Sequence, residues 1–175
     1  MSPSVSRQAV RWCVVAVVLA SCVGCDQFTK RVAQSHLKGR LPHSYCGDVF
    51  RLQYAENPGA FLGLGGDLPA TARTIVLIGF NGLIAIGLVV AVALGWHFSV
   101  WQLVGCALLL AGAIGNLIDR LRFDGLVIDF MNLGVGPLRS GIFNVADVAI
   151  VVGALALALP LAAAPPAAAS KSSGE

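Results

Sequence analysis

Residues 74–118 contain no Asp, Glu, Lys or Arg. A helix rises about 1.5 Å per residue and a bilayer core is about 30 Å thick, so one membrane crossing takes roughly 20 residues. The charge-free run therefore holds two crossings. Their turn is expected at Gly95-Trp96-His97-Phe98, whose aromatic and polar side chains suit an interface. A second gap separates Arg11 from Asp26, and between Arg139 and Lys171 only Asp147 is charged. The composition agrees: charged residues make up 12% of the chain, against about 25% in an average soluble domain. A soluble enzyme and a disordered chain are disfavoured. The cysteine count of 5 is odd and implies no closed disulfide framework.

These gaps predict an all-α membrane protein with four transmembrane helices, at about 10–30, 73–94, 99–118 and 142–161, in one membrane-embedded domain over 1–164. Residues 165–175, opening on Pro165-Pro166, read as a disordered tail. The stretch 40–70 is different. Its aromatic and β-branched residues, with turn signals at Asn57-Pro58-Gly59 and 63–66, predict short strands or a small sheet. Unpaired backbone is not tolerated against lipid, so this sheet belongs at the membrane surface. One competing reading concerns the first helix. Arg7 and Arg11, an apolar core and Leu19-Ala20-Ser21-Cys22 look like a lipoprotein signal peptide cut before Cys22. The three further spans argue against it, and Cys22 and Cys25 read as small packing residues of helix 1.

Four crossings put both termini on one side and gather the polar residues on the other. Asp26, Asp119 and Asp147 sit at helix ends on that face, and the loops carrying Asn57 and Asp129 join them. The same face collects Lys30, Arg31, Lys38, Arg40, Arg51, Arg73, Arg120, Arg122 and Arg139, so a bare positive-inside count would turn it to the cytoplasm.

Asp147, in Phe143-Asn144-Val145-Ala146-Asp147, opens an apolar helix. An ionised carboxylate there costs on the order of 3 kcal/mol by insertion scales. It is either a first-turn acid favoured by the helix dipole or one of two carboxylates held together. Such a pair can share one proton and activate water. Candidate partners are Asp26, Asp119, Asp124 and Asp129, and the residue pattern leaves the choice open between Asp119 and Asp129. Asn116, Asp119 and Arg120 share a helix face, with Arg120 placed to pair with Asp119. Asp129 stands between apolar neighbours, and Asp124-Gly125 reads as a solvated turn. Asp26 and Lys30 read as an ordinary exposed i, i+4 pair. His36, His43 and His97 lack metal-ligand spacing, and no P-loop or zincin motif is present.

Asp26-Gln27-Phe28-Thr29-Lys30, Asn57-Pro58-Gly59-Ala60-Phe61, Gly115-Asn116-Leu117-Ile118-Asp119-Arg120, Val127-Ile128-Asp129-Phe130 and Phe143-Asn144-Val145-Ala146-Asp147 together resemble lipoprotein signal peptidase (signal peptidase II), the bacterial membrane aspartyl protease family. The resemblance implies four membrane helices with a small extracytoplasmic β-sheet cradle, both termini cytoplasmic, in the bacterial inner membrane. It implies prolipoproteins carrying diacylglycerol on a cysteine as substrates, cut just before that cysteine. Asp129 and Asp147 would be catalytic. Asn57 and Arg120 would contact substrate, Asn116 and Asn144 would hold substrate or orient the pair, and Asp26 and Asp119 would support the site. No metal or other cofactor and no nucleic acid is implied. Membrane lipid surrounds the chain, and a monomer is expected.

Two rivals make different demands. A transporter needs a polar path, but Asn81 and Gln102 are the main polar residues of the middle helices. An assembly subunit whose Gly and Ala residues only pack helices would tolerate the loss of Asp129 or Asp147.

Overall fold

The computed structural model describes residues 3–59, 69–94 and 98–162. In chain order the elements are α1 (Pro3–Leu37), β1 (His43–Tyr45), β2 (Phe50–Asn57), α2 (Ala70–Ala93), α3 (Val100–Arg122), β3 (Val127–Val135), β4 (Leu138–Arg139) and α4 (Val145–Ala162). Stretches of α1, α2 and α3 are long and apolar enough to cross a membrane, and α4 contributes a shorter apolar stretch, Val145–Ala158. The expected turn at Gly95-Trp96-His97, the turn signals at 63–66 and the tail at 165–175 lie outside the described residues.

The helices sit where the charge gaps predict, but two of them run past the gaps. The first was expected over 10–30 and continues to Leu37. The third was expected to end at 118 and continues to Arg122. In both, the first charged residues do not face water: Asp26, Lys30, Asp119 and Arg120 are buried against neighbouring elements, so helix and protein interior continue together. α1 stops where Gly39 takes φ +76°, with Arg40 N–H donating to the Leu37 carbonyl. At the other end of α3, Gln102 is the N3 residue of a capping box: Ser99 N–H donates to its Oε1 at 2.9 Å, and its own N–H donates to Ser99 Oγ at 3.3 Å.

α3 is the central helix, packed against α1, α2 and α4. Val15, Val92, Leu103, Cys106 and Ala107 form a core shared by α1, α2 and α3. Glycines let α4 approach α3 closely. A Cβ on Gly112 would collide with the Ala146 carbonyl and stand 2.6 Å from Ile150 Cγ1. Most of α2 faces outward, with Ile75, Phe80, Leu83 and Ile86 exposed, the surface a helix presents to lipid. Cys25 is also exposed on α1 and Cys22 is half-buried mid-helix, so Cys25 is no packing residue of the interior.

The sheet is antiparallel with strand order β1-β2-β3-β4. Only β1 and β2 fall in the expected region at 40–70; β3 and β4 come from a stretch expected to be loop. β2 pairs with β3 in a register that sets Ala55 opposite Asp129 and Asn57 opposite Val127. α4, expected from 142, begins at Val145, because Phe143 first joins the sheet edge: its N–H donates to the Met131 carbonyl at 2.8 Å. Phe130 packs with Ala33 and Leu37, fastening the sheet to the end of α1.

Candidate active site

Asn144 sits between β3 and the first turn of α4 and is fully buried. Its side chain caps the helix: Oδ1 accepts from Asp147 N–H at 3.0 Å, and Asp147 Oδ2 accepts from Asn144 N–H at 3.1 Å. This reciprocal pair is a capping box with an aspartate at N3. Asp147 is thus the first-turn acid that the sequence allows, and it also faces a second carboxylate. The Nδ2 group of Asn144 donates to Asp129 Oδ1 at 2.7 Å and to Asn116 Oδ1 at 3.1 Å. One asparagine therefore holds both acids. Of the two acids that the residue pattern left open, Asp129 is the one that Asn144 links to Asp147.

Each carboxylate has a further amide of its own. Asn57, at the end of β2, donates to Asp129 Oδ2 at 2.9 Å, while its Oδ1 accepts from Gly59 N–H. Asn116, on α3, donates to Asp147 Oδ1 at 2.9 Å. Asp129 is buried, and Asp147 is partly open to a cavity of about 330 Å³. The cavity is lined at one end by Asn57, Asn116, Arg120, Asp129 and Asp147, and along α4 by Val148, Val151 and Val152. Burial pushes the Asp129 carboxyl up to about 6. The hydrogen bond from Asn57 opposes that rise, the nearby charge of Asp147 adds to it, and Asn144 and the charge of Lys30 draw it back.

Behind the acids lies a layer that the sequence reading placed differently. Asp26 and Lys30 are not an exposed pair: they are 1% and 2% exposed, and Lys30 Nζ stands 2.9 Å from Asp26 Oδ2 and 2.9 Å from Asp119 Oδ2. The cation of Asp119 is Lys30, and the expected Asp119–Arg120 ion pair does not form among the described residues. Arg120 instead donates from Nη2 to the Gly59 carbonyl at 3.0 Å, and its buried Nε has no partner. Asp119 also accepts from Gln27 Nε2 and from Ile128 N–H, which fixes the start of β3 at the residue before Asp129. Asp26 Oδ1 accepts from Ala146 N–H at 2.9 Å, tying α1 to the first turn of α4. Asp26 and Asp119 thus brace the site without lining the cavity. Asp124 is exposed in a turn at φ +52°, as its sequence context predicts. Lys30 and Gln27 are the members that the sequence reading missed as site residues. Their signal was the lysine one turn after Asp26, whose further partners, Asp119 and Asn116, come from α3.

The family model for signal peptidase (SPase) II matches residues 18–162. The chain belongs to the signal peptidase II family. It is a protease by that membership, and the family's reaction is the cleavage of signal peptides from prolipoproteins. The lipoprotein signal peptidase of Syntrophus aciditrophicus is 38% identical over 78% of this chain and 84% of its own length. That of Rhodococcus jostii is 35% identical over 86% of this chain and 71% of its own. The fold is similar to a bacterial membrane enzyme solved by the in meso method at 2.3 Å resolution, with a TM-score of 0.74 and 25% identity over 85% of this chain and 87% of that one. The matched region spans every family motif quoted from the sequence, from Asp26 to Asp147.

Proposed function

We propose that this signal peptidase II cuts diacylglyceryl-modified prolipoproteins immediately before the lipidated cysteine, with Asp129 and Asp147 as the catalytic pair. The observation that carries the reading is that Asn144 holds both carboxylates at the polar end of one cavity, Asp129 Oδ1 through its side-chain amide and Asp147 Oδ2 through its backbone N–H. Asp129, whose burial favours its neutral form, keeps the shared proton and donates it toward the scissile carbonyl oxygen. Asp147 takes a proton from the attacking water, whose oxygen bonds to the carbonyl carbon. The tetrahedral intermediate then collapses as the leaving nitrogen is protonated and the C–N bond breaks. One proton remains on the pair. Asn57, Asn116 and Asn144 orient the acids, Arg120 and Asn57 bind substrate backbone, and Asp26 and Asp119 support the arrangement. The free Nε donor of Arg120, beside its contact to Gly59, fits that role.

The apolar wall of Val148, Val151 and Val152 leads from the acids along α4. Acyl chains lying against it and in the bilayer would gain about 0.8 kcal/mol per buried methylene, which fixes the lipidated cysteine beside the acids. In this reading all four helices span the bacterial inner membrane and a monomer suffices. The sheet and acids lie at the extracytoplasmic face, with both termini cytoplasmic. The Lys/Arg count runs the other way. However, Lys30, Lys38, Arg51 and Arg139 are engaged with Asp26, Asp119, Glu56 and Asp48, so they have structural reasons to be on this face.

Incubating purified protein with a diacylglyceryl prolipoprotein tests the reaction. The wild type should release a product with a new amino-terminal cysteine, and Asp129→Asn and Asp147→Asn should not. Normal cleavage by either variant overturns the assignment. Cys46, exposed beside β1, tests the orientation: a membrane-impermeant maleimide should label it from outside the cytoplasmic membrane.

A further inference from the structure

Lys30 is a buried cation that the reaction outlined above does not use. Its ammonium is surrounded by Asp26 Oδ2, Asp119 Oδ2 and Asn116 Oδ1, at 2.9, 2.9 and 3.0 Å. The third contact differs in kind from the first two. An asparagine amide is nearly symmetric in shape, and only its hydrogen bonds decide which end carries the donors. Asn116 Oδ1 accepts from Lys30 Nζ and from Asn144 Nδ2, which leaves its N–H groups facing Asp147 Oδ1 at 2.9 Å. Turning that amide over would set an oxygen against the Asp147 carboxylate and a nitrogen against an ammonium.

We propose that Lys30 is a positioning residue of this site: by holding Asn116 Oδ1, it fixes the amide so that Asn116 donates to Asp147, and thereby keeps the water-activating carboxylate aimed. The inference rests on the assignment of Asp129 and Asp147 as the catalytic pair. The charged groups facing this lysine are Asp26 on its own helix, Asp119 on α3 and Asp129 on β3. Arg120 on α3 and Asp147 on α4 are the next charges, each interacting with the other and Arg120 also with Asp119 and Asp129. Its contacts to Asp26 and Asp119 supply the charge balance that lets an ammonium stay buried. Two roles thus meet at one nitrogen, a charge close to the pair and an orientation of the amide, and they are separable.

Lys30→Met removes both. Turnover per folded enzyme on a diacylglyceryl prolipoprotein should fall about 100-fold, the cost of a misplaced catalytic group, with KM unchanged. Loss of the positive charge also favours the proton on Asp129, so the alkaline limb of the pH–rate profile should move up by about half a unit or more. Lys30→Met/Asp26→Asn removes one charge of each sign, and Asp26→Asn alone is its control. In the double variant the limb should return toward its wild-type position while the loss of kcat persists. A purely structural lysine would lower the folded yield and leave kcat per folded molecule as in the wild type. That result, in either folded variant lacking Lys30, overturns the proposal. If neither accumulates, Lys30→Arg decides. Its planar fork keeps the charge but cannot set one nitrogen among three acceptors, so reduced kcat with the limb in place supports the proposal and wild-type kcat overturns it. The catalytic assignment fails differently, by cleavage in Asp129→Asn or Asp147→Asn. Loss in those two with wild-type turnover in Lys30→Met sinks only the lysine.

Discussion

The side-chain amide nitrogen of Asn144 donates to Asp129 Oδ1 at 2.7 Å. The same residue caps the helix that carries Asp147, so a change at this position acts on both acids at once. Asn144→Ala should remove the N-cap, at a cost of about 1 kcal/mol of stability. It should also free Asp129 to rotate. Misplacement of a catalytic group by about 1 Å costs on the order of 100-fold in rate, so kcat should fall far more than the modest loss of stability suggests. Cleavage assays beside thermal unfolding in detergent measure the two effects separately.

The elevated Asp129 carboxyl predicts two pH dependences with definite signs. In the free enzyme the pair carries its working proton only below the Asp129 value of about 6, so kcat/KM should turn down as pH rises past that region. Stability follows the same group. Its folded value lies above the unfolded value of about 3.9, so the folded state binds more protons between the two. Stability should therefore fall as pH rises from about 4 to about 6 and then level, by on the order of 3 kcal/mol for this group. Asp129→Asn should abolish this slope along with activity. Asn57→Ala removes a hydrogen bond to the ionised form and should move the kcat/KM limb upward. A limb that stays put in Asn57→Ala would contradict the assignment of that limb to Asp129.

Charge gaps made the helices legible, because hydrocarbon excludes charge and nothing else in the chain runs uncharged for so long. They failed at Lys30 and Arg120, where the same charges are buried among partners distant in sequence. A one-dimensional reading places Lys30 beside Asp26 and Arg120 beside Asp119. Only the packing of α1 on α3 brings Lys30 to Asp119, and the chain just beyond β2 brings the Gly59 carbonyl to Arg120. β3 escaped for a related reason. Its buried run, Val127-Ile128-Asp129-Phe130, lacks the alternation of a half-exposed strand because the sheet is covered on this part of both faces. Asp147 was legible as an unusual acid, but its residue pattern left Asp119 and Asp129 open as partners, and the link to Asp129 depends on the Asn144 amide, whose bonds to Asp129 and Asn116 no spacing rule would reveal.

Close approach of α3 and α4 sets where Asp147 stands. Ala146 and Ile150 leave no room for a Cβ on Gly112. Gly112→Ala should push the start of α4 away from α3, destabilising the protein by about 1–3 kcal/mol and separating Asp147 from Asn116. Gly24→Ala is the contrast, since a Cβ there meets nothing within 4 Å. It should leave activity intact and add a few tenths of a kcal/mol through helix propensity, up to about 1. Thermal midpoints of the two variants should move in opposite senses and only Gly112→Ala should lose cleavage rate, and equal behaviour would remove the close-packing account.

Val151 lies on the apolar wall of the cavity, half-exposed and one helical turn beyond Asp147. An acyl chain seated there would contact it without touching the reacting atoms. Val151→Trp fills the wall and Val151→Asn makes it polar, and neither alters the hydrogen bonds around Asn144. Both should raise KM for the lipidated substrate by about tenfold, corresponding to the roughly 1.4 kcal/mol lost with one or two buried methylenes, while kcat at saturation changes little. Lengthening the acyl chain by two methylenes should recover part of the loss in Val151→Asn and none in Val151→Trp, whose ring occupies the space itself. Steady-state kinetics with substrates of two chain lengths gives both numbers. A fall in kcat at constant KM would instead assign this wall to the chemistry rather than to lipid binding.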